Sequence, residues 1–356
     1  MRLLQKFKRG KDSGSKGHTN YAYTIPRVRA MKSKLLKKEI YPRLMNMSID
    51  EITRFIGESG YKDDVDELAL TYDGVDLVEH SLNRNLSATF RKLLYISEGE
   101  VNFLIAEYLK EYDVWNIKTV LRGKYCKAST KEIKESLVAG GSLTYTFLSG
   151  LAVKEDYEDI ISEFEGTEYY PILKRYDGTN LSDIENQLDK LYYSGLFHVA
   201  GSSKTKERKL FAKFIRSGID IKNMMFLFRL KRSGINDPAM MELIIDGGLE
   251  IEVEDIKKMM PLSFEEFIRE IEKYSYWKEI SDIVHPDMRS LIDVETRLKK
   301  YRLKSAASFS HVYPISIVPI MDYIITKQNE VNNLRIIVRG KAANLDDETI
   351  KEQLVV

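Results

Sequence analysis

The stretch Asp113-Val114-Trp115-Asn116-Ile117-Lys118-Thr119-Val120-Leu121-Arg122-Gly123-Lys124 decides how this chain is read, because it recurs twice. Asp220-Ile221-Lys222-Asn223-Met224 leads without a gap to Arg229 and Lys231, and Glu330-Val331-Asn332-Asn333-Leu334 leads to Arg339 and Lys341. The shared pattern is acid-x-x-Asn-x5-Arg-x-Lys, in copies 107 and 110 residues apart. Apolar residues fall one, four and eight places after each acid: Val114, Ile117 and Leu121; Ile221, Met224 and Phe228; Val331, Leu334 and Val338. That spacing lines one face of an α-helix.

The match runs outward in both directions. Upstream stand Val78-Glu79-x-x-Leu82, Ile184-Glu185-x-x-Leu188 and Val294-Glu295-x-x-Leu298, each Glu 34 or 35 residues before its acid. Downstream, 13 residues after each Lys, sit Leu137, Ile244 and Leu354. Gly140-Gly141 and Gly247-Gly248 follow in the first two copies, whereas the third runs out at Val356. One such match could arise by chance among helices rich in Lys, Glu and Leu. Three collinear ones mark an internal repeat.

Ser-x-x-Glu capping boxes are predicted at Ser48 with Glu51, Ser129 with Glu132, Ser182 with Glu185 and Ser263 with Glu266. Turn clusters at Gly57–Gly60, Gly166, Gly178 and Gly201-Ser-Ser separate the helices. An amphipathic helix cannot bury its own face, so several must bundle. The expected fold is all-α: a basic tail over 1–20, then helical units over 21–140, 141–260 and 261–356. The repeat is about three times longer than a usual solenoid unit, which favours separate domains.

Composition excludes several classes of function. The 356 residues are 43% hydrophobic and 31% charged, which is globular usage. Lys plus Arg number 55 against 54 Asp plus Glu, so the basic excess of a dedicated nucleic-acid binder is missing. The most apolar stretch, Val312 to Ile325, holds two prolines and Asp322 and falls short of the roughly 20 residues a membrane span needs. The first 20 residues are basic without an apolar core, so they read as a disordered tail rather than a secretory signal, with weak attraction to anionic lipid as a second role.

No residue set reads as an active centre. Gly195 to Thr205 has the wrong spacing for a phosphate loop and reads as an interhelical loop. Asp63-Asp64-Val65-Asp66-Glu67 looks like the magnesium motif of helical prenyl-transferring enzymes. The second motif needed to bracket a diphosphate is missing, so it reads as a solvated helix start. The histidines, at 18, 80, 198, 285 and 311, lack metal-ligand spacing, and the single Cys126 has no catalytic companion. Neither a cofactor nor a metal is expected.

The repeated residues themselves admit two readings. The acid opens its helix and the Arg and Lys close it, as the macrodipole favours, so the motif could be a rule of helix docking. Alternatively Arg122, Lys124, Arg229, Lys231, Arg339 and Lys341 are three equivalent basic pairs presented to a partner.

Both ends of the chain add a resemblance. Tyr21-Ala22-Tyr23, with Arg27-Val28-Arg29-Ala30-Met31-Lys32-Ser33-Lys34-Leu35-Leu36, and the run from Lys327 to Lys341 resemble the C subunit of A-type rotary ATP synthases, a family similar to the d subunit of vacuolar ATPases. The resemblance covers residues 20–356, and the basic tail departs from it by its length. It implies three homologous helical-bundle domains in a pseudo-threefold funnel, without catalytic residues. In that family the funnel seats the central shaft, made of the D and F subunits, on the proteolipid ring at the cytoplasmic face of the membrane. The resemblance therefore implies a peripheral, non-catalytic rotor adaptor for proton- or sodium-driven ATP synthesis, with its membrane contact made through the ring. The six basic residues are then the expected polar lining. A soluble helical scaffold for another complex is the alternative.

Overall fold

A computed structural model of the chain describes residues 20–201, 205–235, 237–285, 288 and 290–356. The predicted basic tail lies outside these but for Asn20, as do residues 202–204 of the expected loop after Gly201. Among the described residues every regular element is an α-helix or a short 3-10 helix, and no strand occurs. The chain is all-α. It divides into two compact units, one holding residues up to Thr24 with Ile56–Leu196, the other Ile25–Phe55 with Phe197–Val356.

In the first unit the long helix Gly74–Ile96 presents Val78, Leu82, Phe90 and Leu93 to the core. Leu104, Ile105, Val120, Leu148, Phe164, Ile184 and Leu188 complete that core and are likewise shut off from solvent. Each such side chain stabilises the fold by roughly 1.5–3 kcal/mol relative to exposure. The chain start is tied down here, with the Asn20 side-chain amide and the Thr24 hydroxyl both donating to the Ile96 carbonyl.

The second unit is organised by the helices Lys206–Arg232, Ile292–Val312 and Val318–Ala342. The last opens with eight consecutive buried residues, Val318 to Ile325, including Asp322, which pairs with Lys32 at 2.5 Å. The second half of the most apolar stretch of the sequence, from Val318, is thus a helix start embedded in its unit, while Val312 and Ile315 lie exposed. Among the described residues no helix is long and apolar enough to cross a membrane. Phe228 and Phe267 meet edge to face at 5.1 Å in a core with Ile256, Met259, Val294 and Leu298.

Three of the four predicted capping boxes form, with serine and glutamate exchanging bonds at Ser48, Ser129 and Ser263. The fourth does not. The helix Leu181–Gly201 begins ahead of Ser182, and the Asn180 carbonyl accepts from Asp183 and Ile184. Glu185 is held by Arg122 instead, because a two-pronged charged pair outcompetes a neutral amide. Gly195 sits inside this helix, so residues 195–201 are not a loop. The acidic run from Asp63 also differs from the solvated start expected: Asp64 is buried, accepts from the Asn85 amide and faces Arg84, which also pairs with Glu67.

Candidate partner-docking site

The three copies of the motif lie on the helices Glu111–Tyr125, Lys206–Arg232 and Val318–Ala342. Each acid is buried; Asp113 stands in the first turn of its helix, whereas Asp220 and Glu330 lie in the middle of theirs, so the acid opens its helix in the first copy alone. Asp113 accepts from the amides of Ser142 and Leu143 at 2.9 Å, from the Ser142 hydroxyl, and from the Tyr169 hydroxyl at 3.5 Å. Asp220 does the same with the amides of Leu249, Glu250 and Ile251 and the hydroxyl of Tyr276. A carboxylate gathering successive amides holds a turn in one conformation, and those amides offset the cost of burying its charge. Burial pushes the Asp113 and Asp220 carboxyls up, against the pull of these donors. Burial and the neighbouring carboxylate push the Tyr169 and Tyr276 hydroxyls up too, so both phenols keep their protons and donate.

Close approach explains the paired glycines. A Cβ on Gly141 would stand 2.2 Å from Asp113 Oδ1, and one on Gly248 would stand 2.2 Å from Asp220 Oδ1.

The motif asparagine performs one operation three times. Asn116 Nδ2 donates to the Val138 carbonyl while its Oδ1 accepts from the Val138 amide. Asn223 does this with Ile245, and Asn333 with Val355, always 22 residues downstream. A side-chain amide matches both backbone groups of one residue, which no carboxylate or hydroxyl does.

The lysines also serve the fold. Lys124 Nζ donates to the Ala152 carbonyl at 2.8 Å, Lys231 to the Met260 and Leu262 carbonyls, and Lys341 to the Met45 carbonyl at 2.6 Å. Lys231 is the most enclosed, and burial pulls its ammonium below the ordinary lysine range.

The arginines differ from the lysines in lying exposed. Arg122 grips Glu185 through Nε and Nη2 at 2.5 and 2.6 Å, and Arg229 Nη2 meets Glu295 at 2.9 Å. Those glutamates belong to the Glu-x-x-Leu helices of the following copies, so the ion pair joins one copy to the next. Arg339 is exposed at the equivalent place.

All three helices end alike. Lys127, Gly234 and Asn344 take positive φ values of 56°, 66° and 53°. The amides of these residues and their successors reach back to Lys124 and Gly123, Lys231 and Leu230, Lys341 and Gly340. This is the Schellman arrangement, in which a left-handed residue turns the chain and satisfies the last carbonyls.

The third copy, which runs out in sequence, is completed by the other end of the chain. Glu330 accepts from the Leu36 amide and from Lys327. Tyr41 is buried close by, its hydroxyl pushed up by burial and by the charge of Glu330 against the pull of a hydrogen bond with Asn333. Met45 supplies the carbonyl for Lys341, and the Ser48 capping box follows as the Ser263 box follows Met260. Residues 27–36 and 327–341, which carry most of the resemblance, therefore meet in one unit.

The chain matches the family described as ATP synthase (C/AC39) subunit over residues 24–353. It belongs to that family. The A-type ATP synthase C subunit of Methanococcoides burtonii is 62% identical over 359 residues, and that of Methanosarcina mazei 55% over 362, each with all of both chains covered. The Archaeoglobus fulgidus counterpart is 38% identical over 336 residues, covering 94% of this chain and 96% of the relative. The first two alignments take in the residues ahead of Asn20, so the basic tail is not a departure from these family members.

Sequence reasoning placed all six basic residues on equivalent helix ends but did not find what they touch. The places of Tyr169 and Tyr276 beside the acids, and of Tyr41 near Glu330, escaped it. The tyrosines at 169 and 276 each stand 56 residues after their acid, a spacing that carried a signal, whereas Tyr41 stands before its acid.

Proposed function

We propose that the chain is the non-catalytic central-stalk adaptor of a rotary A-type ATP synthase, seating the D and F subunits of the shaft on the proteolipid ring. It then acts as a peripheral rotor component at the cytoplasmic face of the membrane, where ion flow, of protons or of sodium, drives ATP synthesis. What carries this reading is the threefold recurrence of one anchored helix, its arginine exposed at each end, in a member of the ATP synthase C/AC39 family.

The physical case is one of mechanics. Repeated equivalent elements engage a ring of equivalent subunits at several points, and linked weak contacts hold strongly together. Close-packed helices transmit strain where loops would absorb it. The three helical units over 21–140, 141–260 and 261–356, arranged as a pseudo-threefold funnel, belong to this proposal, with residues 36–51 completing the last. Arg122, Arg229 and Arg339 form the partner-facing polar lining. Lys124, Lys231 and Lys341 stand behind them and fix the helix ends that present them.

Purification from detergent-solubilised membranes tests the reading. The chain is expected to travel with the proteolipid and with both shaft proteins. A preparation that retains the chain but neither partner would sink the proposal.

A further inference from the structure

Beside the repeated motif, the first unit holds a cavity of about 340 Å³ that the rotor reading does not use. Tyr72, His80, Thr130, Lys131, Lys134, Glu135 and Tyr145 line it. A cavity of this size is at the lower end for small-molecule sites. Its walls mix aromatic ring faces with polar groups: two ammonium groups, three hydroxyls, an imidazole and one carboxylate.

Most of those donors are unused among the described residues. The Lys134 ammonium and the hydroxyls of Tyr72, Thr130 and Tyr145 make no hydrogen bond to any of them. The remaining groups contact one another, with Lys131 at the exposed rim. His80 stacks on Tyr72 with ring centroids 3.9 Å apart, and Lys131 lies over the same Tyr72 ring at 6.0 Å. Glu135 Oε1 stands 3.6 Å from both His80 Nε2 and Lys131 Nζ, holding the two side by side without a hydrogen bond to either. The two lysines exceed Glu135 by one positive charge. Burial, then Tyr72 and Glu135, push the Tyr145 hydroxyl up, which keeps it a donor.

We propose that this cavity binds a small phosphate dianion, either inorganic phosphate or the monoester headgroup of a lipid, with Lys131 and Lys134 as its charged donors. Tetrahedral anions with several acceptor oxygens satisfy convergent donors that no described residue satisfies. A cation would instead meet two ammonium groups against one carboxylate.

Titration of the full-length chain with inorganic phosphate, followed calorimetrically and by phosphorus NMR, reads the free-anion arm. Flotation with vesicles containing phosphatidic acid, against vesicles of phosphatidylcholine alone, reads the lipid arm. Saturable binding is expected in at least one arm, about tenfold weaker in Lys134→Ala and weaker again in Lys131→Ala/Lys134→Ala. Vesicle binding abolished by free phosphate identifies the headgroup as ligand. Tyr145→Phe, which keeps the ring, is expected to weaken binding while circular dichroism stays unchanged. If the double variant and the parent chain bind both probes alike, or neither binds either probe, the proposal is wrong.

Discussion

Asn333 and Val355 exchange two hydrogen bonds: the Asn333 amide donates to the Val355 carbonyl at 2.9 Å, and the Val355 amide donates to Asn333 Oδ1 at 3.1 Å. The same exchange joins Asn116 to Val138 and Asn223 to Ile245. Replacing Asn333 with alanine leaves the buried Val355 amide unpaired, while the Val355 carbonyl keeps the Asn329 amide as donor at 2.8 Å, at a cost of about 1–3 kcal/mol. Removing residues 355–356 is expected to cost a similar amount, and Asn333→Ala is expected to add little on top. Urea denaturation of the four chains checks this; fully additive losses would contradict it.

Glycine substitutions separate packing from propensity. Gly141→Ala drives a methyl into the Asp113 carboxylate and is expected to cost about 2–4 kcal/mol. Gly150 lies in the helix Tyr145–Val153 with open space around it, so Gly150→Ala is expected to stabilise by about 0.5–1 kcal/mol. Thermal unfolding midpoints should move in opposite directions.

Among the lysines, burial sets the order. Lys231→Ala exposes two enclosed carbonyls to loss of their donor and should cost about 2–3 kcal/mol, whereas Lys124→Ala, with one carbonyl and a half-buried stem, should cost about 1 kcal/mol. Equal losses would argue against the role assigned to Lys231.

Acid should weaken the capping boxes. The backbone and side chain of Ser129 and of Ser263 hold Glu132 and Glu266 below the ordinary glutamate range. A depressed folded-state value means that stability is fully present above about pH 4.3 and is lost as pH falls through the lower folded value. Glu132→Gln and Glu266→Gln should therefore lower stability at pH 7, converge with the parent chain in acid and so flatten the acid limb of stability against pH. An unchanged acid limb would remove the carboxylates from that role.

The exposed arginines should matter to partners more than to the fold. Arg122→Glu, Arg229→Glu and Arg339→Glu together are expected to weaken shaft binding at least tenfold. Pairs this exposed are each worth about 1 kcal/mol or less, so helicity should persist. Loss of helicity in the triple variant would assign the arginines to the fold.

The period of the apolar residues and the collinear copies were enough to read helices, their order and their equivalence. Those features are local or repeat along the chain. The pairing of Arg122 with Glu185 was hidden because its two halves were each legible but 63 residues apart, and Glu185 also carried a local capping signal at Ser182. The buried state of Asp113 and Asp220 was hidden for another reason. An acid at a helix start satisfies the macrodipole in water, and only the turns at residues 142–143 and 249–251 supply the amides that let it be buried.

By itself, then, the sequence determined an all-helical chain, a helix used three times, and the ends at which its basic residues stand. Tertiary structure alone decided that the lysines and asparagines are anchors, and that the unfinished third copy closes with residues 36–51. Periodicity reports which face of a helix is apolar. Which loop carbonyl a lysine reaches, and which residues gather around Glu330, depends on contacts nearly 300 residues apart in the chain, such as Lys341 with Met45. No local pattern encodes them; burying a polar group only where donors and acceptors converge selects them.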